Sequence, residues 1–229
     1  MKEISRGQYQ EIRKNTLNPK TRKQVWNLVD SASMADHVDE HGAWEFGCEF
    51  DGKHRGYSIN WDVYGIGRDF FTRRTLAVIQ IRKWEKRTKN GFPNIRKSYF
   101  LLGRNEDNSV FAHPVESRVI HAAIRAGKDV ILATQKWIFG CDYQKIIRQG
   151  DLALIPVRRI PQDKIETSEM VLEQSHCLRA DDFRENGNLY AKNPNIVHAV
   201  HPEVTGEGWF RVIVGKRSNF WNFAAPTID

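Results

Sequence analysis

Cysteine is scarce in this 229-residue chain. Cys48, Cys141 and Cys177 are odd in number and widely spaced, a poor basis for a disulfide framework, so all three are expected to be reduced. Long apolar runs are missing as well. Nowhere do the roughly 18 consecutive apolar residues needed to cross a bilayer appear, and the opening MKEISRGQYQ lacks the apolar segment of a secretion signal. The expectation is a cytoplasmic protein with no membrane partner. A third absence is local: no lysine or arginine lies between Lys23 and Lys53, a stretch that holds Asp30, Asp36, Asp39, Glu40, Glu45, Glu49 and Asp51.

What is present argues for a folded, basic protein. With 40% hydrophobic and 11% aromatic residues, the chain can bury a core that offsets the entropy of ordering it. The formal charge of +7 attracts polyanions before any specific contact forms. Much of that charge sits in RKWEKRTKNGFPNIRK, residues 82–97, where Arg82, Lys83, Lys86, Arg87, Lys89, Arg96 and Lys97 face only Glu85.

Periodicity sketches the elements. Asn18-Pro19 predicts a helix start, with Val25, Trp26, Leu28, Val29 and Ala32 as its buried stripe. Trp44, Phe46, Cys48 and Phe50 alternate with polar residues as in a half-wet strand, and Asp51-Gly52 should turn it into a second strand, YSINW. The glycine-rich YGIGRD beyond has no phosphate-loop lysine and reads as a loop. TLAVIQIRKW and KSYFLLG form the clearest strand pair, joined by the Asn-Gly and Pro signals of TKNGFPN and followed by SVFAH in a meander. After His113-Pro114, Val115, Val119, Ala122, Ala123 and Ala126 recur at helical spacing, and Gly127 suits the cap. KDVILATQKWIFGC fits either a buried strand or a short helix. Short strands follow at LALIPVR, MVLEQSHCL, NLYAK, NIVHAV and WFRVIVGKR. The fold class is therefore α+β, a mixed, mainly antiparallel sheet with two or three helices and a β-rich C-terminal third. Residues 1–150 read as an α+β region with a basic hairpin and 151–229 as a β-rich region, either separate domains or parts of one.

Three constellations carry chemistry. In the basic hairpin, Trp84 and Phe92 stand among the charges, and arginine and lysine bind phosphates while a ring offers a face to an unpaired base. A charge run is usually a solvated hairpin. Here it coincides with a net basic chain, a second cluster from Arg13 to Lys23 and a third at Arg68, Arg73 and Arg74. Arg82, Lys83, Trp84, Lys86, Arg87, Lys89, Arg96 and Lys97 are accordingly the candidate nucleic-acid contacts. His176, His198 and His201 form a candidate metal site, with Cys177, Glu203 or Glu207 as a fourth ligand, since zinc accepts nitrogen, sulfur and carboxylate donors. The bland alternative is hydrogen-bonded histidines at a sheet edge. Finally, Cys141 with His113 or His121 has the residue types of a nucleophile and base, though a free cysteine most often packs in a core.

Three functions compete on these grounds. The first is binding of RNA or DNA through phosphate contacts, as an accessory subunit of a larger assembly. The second is a metal-dependent hydrolase or nuclease, in which a divalent metal such as zinc on the histidines activates water. The first needs no cofactor. The third is a non-catalytic protein-interaction module that offers acidic residues 24–52 to a basic partner.

Overall fold

The computed structural model describes residues 4–31, 61–70, 73–87, 93–104, 108, 110–141, 146–173, 175–199 and 201–216, and of 30, 31, 82–87 and 93–96 the backbone alone. Among them are four helices and fourteen strands, and every strand pairing is antiparallel. The class is α+β, with strand predominating in the C-terminal part. The expected strand over Trp44–Phe50 and its turn at Asp51-Gly52 lie outside the described residues, as do Cys48 and Ala32.

Two helices open the chain. Helix α1 (Arg6–Leu17) starts at a capping box in which Ser5 and Gln8 each bond the other's backbone N–H. Asn18 ends it and starts α2 (Pro19–Ser31), its Oδ1 accepting from the N–H groups of Lys20 and Thr21 at 3.0 and 3.2 Å. Proline suits the first position of α2 because no intrahelical partner exists for an N–H there.

The first sheet has the order β1-β2-β3-β4, with β1 at Trp61–Arg68, β2 at Thr75–Arg87, β3 at Pro93–Arg104 and β4 at Val110–Val115. Alternation sends Ala77, Ile79 and Ile81 to one face, where they meet Val25, Leu28 and Val29 of α2. Leu76 and Val78 go to the other, against Ile120 and Ala123 of α3 (Ser117–Arg125) and Ile131 and Ile138 of α4 (Val130–Phe139). Burial on both faces explains why these strands read as continuous apolar runs. Two expected stripe residues of α3, Ala122 and Ala126, are exposed instead.

Two sequence readings change here. YGIGRD is not a loop: Tyr64–Arg68 belongs to β1, irregular in register between Val63 and Gly65. The glycines serve packing, because a Cβ on Gly65 would lie 3.1 Å from Cβ of Val130 and one on Gly67 3.4 Å from Cγ1 of Ile131. KDVILATQKWIFGC is resolved as helix α4 by its caps. Asp129 accepts from the N–H of Leu132 at 3.0 Å, and Gly140 closes the helix at φ 70°.

Ten short strands follow: β5 (Ile147–Gln149), β6 (Leu152–Pro156), β7 (Lys164–Ile165), β8 (Glu169–Leu172), β9 (His176–Arg179), β10 (Asp182–Glu185), β11 (Leu189–Lys192), β12 (Asn195–Val197), β13 (Val204–Thr205) and β14 (Trp209–Val214). They make a six-stranded sheet, β5-β6-β14-β11-β10-β7, and a four-stranded one, β13-β12-β9-β8. MVLEQSHCL is therefore a hairpin rather than one strand, turning at Glu173 with φ 49°. Leu152, Leu154, Leu178, Phe183, Ala191, Ile196 and Phe210 pack between these two sheets. On β6 alternation serves two cores at once: Leu152 and Leu154 belong to this one, and Ala153 to the core under the first sheet. No described helix is long and apolar enough to cross a membrane.

Candidate functional site

The basic segment leaves the first sheet as a two-stranded ribbon. Strand β1 pairs with β2 from Thr75 to Ile81, and β4 pairs with β3 from Tyr99 to Arg104. Beyond those limits β2 and β3 are, among the described residues, paired with each other alone, through Arg82↔Lys97, Lys83↔Arg96, Trp84↔Ile95 and Glu85↔Asn94 to Arg87↔Pro93. The ribbon therefore carries Arg82, Lys83, Trp84, Lys86 and Arg87 on β2 and Arg96 and Lys97 on β3, with Lys97 exposed. Lys89 and Phe92 lie outside the described residues. Two successive cross-strand positions pair like with like, and like charges directly opposite one another destabilise a ladder.

The second basic cluster is divided by its environment. Arg13 is drawn inward to Asp62, a carboxylate fully buried at the start of β1 that also accepts from Tyr9 Oη at 3.1 Å. It is a structural residue rather than a surface charge. Lys14, Lys20, Arg22 and Lys23 are exposed. In the third cluster Arg68 and Arg73 are exposed, and the Arg73 guanidinium lies 5.2 Å from the centre of the Phe70 ring.

The three C-terminal histidines gather as the spacing suggested. Strands β9 and β12 are neighbours, with Cys177 opposite Val197, so His176 and His198 meet at the end of that pair. His201 returns to them from the turn before β13. Ring centroids are 4.6 Å apart for His176–His198 and for His198–His201, and 6.5 Å for His176–His201. His176 and His201 are buried. The rings are stacked for His198–His201 and His176–His201, at 30° and 17°, and tilted for His176–His198, at 39°. That is a stack, not a set of lone pairs aimed at one centre. Among the described residues no three His, Cys, Asp or Glu side chains are grouped to hold a metal ion.

Two residues absent from the sequence reading build this cluster. Gln149, fully buried at the end of β5, donates from Nε2 to the carbonyls of Ile196 at 3.3 Å and Pro202 at 2.5 Å, clasping the turn that carries His198 and His201 from both sides. Gly150 follows at φ 56°, and a Cβ there would stand 3.4 Å from Nε2 of His176 and 3.9 Å from Nε2 of His201. Both nitrogens therefore lie within 4 Å of one point on the bare turn. The signal in the sequence was the polar turn RQGD ahead of an apolar strand, which reads as a turn but gives no hint of what it touches.

The proposed fourth ligands stand elsewhere. Cys177 alternates away from His176 along β9, and its Sγ lies 3.8 Å from a carboxylate oxygen of Glu169. Glu203 accepts from Asn195 Nδ2, and Glu207 is exposed. For the remaining pairing, Cys141 packs against the first core, His113 Nε2 lies 2.8 Å from the carbonyl of Lys216, and His121 Nε2 shares a 3.1 Å hydrogen bond with Tyr99 Oη.

A feature that periodicity concealed lies on α2. Trp26, expected in the buried stripe, is 38% exposed and stacks on Trp61 at a centroid distance of 6.5 Å and 24°. The two rings line a cleft of about 500 Å³ together with Pro19, Arg22 and Lys23.

Compared with protein-family models, with curated proteins and with solved structures, the chain matches none of them.

Proposed function

We propose that the protein binds RNA or DNA through the ribbon formed by the ends of β2 and β3, acting as a non-catalytic accessory component of a larger assembly. The observation that carries this reading is the register: Arg82↔Lys97 and Lys83↔Arg96 concentrate positive charge on a ribbon that, among the described residues, extends past both edge strands. A two-stranded ribbon is narrow enough to enter a duplex groove or to lie along a single strand. Phosphates would relieve the like-charge pairing that the ladder otherwise carries. The test is fluorescence anisotropy with labelled single- and double-stranded DNA and RNA over a salt series. Wild type should bind with a steep negative salt slope, and the combined change of Lys86, Arg87 and Lys89 to Ala should reduce that slope by roughly one unit for each phosphate no longer neutralised. Unchanged binding by the folded triple variant overturns the reading in favour of the protein-interaction module.

A second reading rests on the histidine cluster. We propose a divalent metal such as zinc at the point beside Gly150 to which Nε2 of His176 and of His201 both lie close, serving a hydrolytic reaction. Ser175 Oγ lies 3.1 Å from Nδ1 of His176, the kind of contact that orients a ligating imidazole through its other nitrogen. The His198 ring, stacked on His201, must rotate to join such an ion. Metal analysis of purified protein and a zinc titration followed by thermal melting decide it: no bound metal and no shift in Tm overturns the site.

A further inference from the structure

We infer that the cleft between α2 and the start of β1 is a stacking site for an unpaired base, so that the nucleic acid recognised is single-stranded and runs from the ribbon onto Trp26. This inference rests on the nucleic-acid reading and adds to it the strandedness of the ligand and a second contact. Position carries the first step. Trp61 is paired with Ile81, and the next residue of β2 is Arg82, so the cleft lies at the base of the ribbon and at the same end of the sheet.

Chemistry carries the second step. The apolar stripe that fastens α2 to the sheet is Val25, Leu28 and Val29, all buried, and Trp26 stands beside it with more than a third of its surface open. An indole in that position costs apolar exposure unless something covers it. Its neighbours in the cleft lining are Arg22 and Lys23, both exposed and both about one turn away along the same helix. A ring face flanked by two cations matches a nucleobase with its phosphates, whereas an apolar peptide would leave both charges without a counterpart. A cleft of about 500 Å³ is within the range of sites that hold one small-molecule-sized group.

Duplex bases are already stacked on each other, so only an unpaired base offers its face to Trp26. The experiment compares a labelled 12-nucleotide oligo(dT) with a labelled 20-base-pair duplex, using the full chain at one fixed salt concentration. Trp26→Ala should weaken oligo(dT) binding by on the order of tenfold or more and leave duplex binding as it was, while Trp26→Phe, which keeps a ring, should retain most of the affinity. Over a salt series, Arg22→Ala with Lys23→Ala should lower the oligo(dT) slope by roughly 0.7 for each phosphate no longer neutralised. Should Trp26→Ala melt at the assay temperature, Trp26→Leu keeps an apolar contact with Trp61 without a π face and replaces it. Unchanged oligo(dT) affinity in the Trp26 variants, with binding still weakened and its salt slope reduced when Lys86, Arg87 and Lys89 are replaced, overturns the cleft and leaves the ribbon standing. An equal loss on duplex and single strand also overturns it. Failure of the wild-type protein to bind either probe overturns ribbon and cleft together.

Discussion

Nε2 of His176 stands 3.4 Å from the point where a side chain on Gly150 would begin, although Gly150 lies in the β5–β6 turn of one sheet and His176 on β9 of another. A side chain at 150 therefore meets two obstacles, the imidazole and a backbone at φ 56°. Gly150→Ala should lower stability by about 1–2 kcal/mol from the left-handed backbone alone, with a further loss as the rings are displaced. Urea unfolding measures the total. A neutral outcome would show that the turn relaxes without cost and that the close approach is incidental.

Gln149 is expected to be the more sensitive of the two. Its carboxamide donates to the carbonyls of Ile196 and Pro202, which flank the histidine turn. Gln149→Leu keeps the approximate volume and removes the donors, at about 1–3 kcal/mol for buried acceptors left unsatisfied. Amide exchange around His198 and His201 should accelerate in this variant, and unaltered exchange there would refute the clasp.

Two ion pairs of α1 should differ sharply. Arg13 reaches a fully buried carboxylate on Asp62, and removing one partner of such a pair leaves an uncompensated charge, so Arg13→Ala should cost about 3–5 kcal/mol. Lys14 and Glu11 meet at 2.7 Å with both side chains mostly in water, and Lys14→Ala should cost less than about 1 kcal/mol. Denaturant midpoints for the two variants make the comparison directly.

Alkaline pH should unfold the protein through Tyr64. Burial, with Tyr99 beside it, holds the Tyr64 hydroxyl well above the ordinary tyrosine range. Its Oη accepts from Gln80 Nε2 at 3.0 Å, and Gln80 also donates to Tyr99 Oη at 2.7 Å. Because the folded value lies above the unfolded one, the proton is held more tightly in the folded state. Stability is thus fully present below the unfolded pKa of about 10 and declines as pH rises past it. Tyr64→Phe should lower stability at neutral pH and flatten this decline. An unchanged slope in the variant would assign the alkaline loss to other groups.

The ribbon itself should be strained by its own charge. Arg82→Glu turns the pair with Lys97 from repulsive to attractive, which should stabilise the fold by about 0.2–1 kcal/mol at low salt, with the gain shrinking as salt screens it. A loss of stability instead would mean that the two residues do not oppose one another across the ladder.

What could be read beforehand divides along physical lines. The β2–β3 pair was legible because residues 76–81 and 98–102 are buried on both faces, with Gln80, Ser98 and the Tyr99 hydroxyl as their polar groups. The histidine cluster was legible in outline, since His198 and His201 flank a turn and His176 lies on the neighbouring strand. Its supports were not. Gln149 acts across 47 and 53 residues of chain, a separation at which local pattern carries no information. Gly65 and Gly67 misled for a related reason, since a glycine that makes a turn and one that admits a helix look alike until the helix is in place. Trp26 misled because a 3.6-residue period locates a stripe but not its edge, and the indole falls one position outside the buried arc.

Strand β6 sets how the parts of the chain come apart. Leu152 and Leu154 plug the core between the two C-terminal sheets while Ala153, between them, closes the core beneath α3 and α4. A cut at the Gly150-Asp151 turn should leave neither piece self-sufficient, because the fragment before it would lack the wall that Ala153 supplies and the fragment after it would expose that same wall to water. Melting is accordingly expected to be cooperative across the turn, with one peak in heat capacity, and damage in either core should be felt in the other through a strand only five residues long.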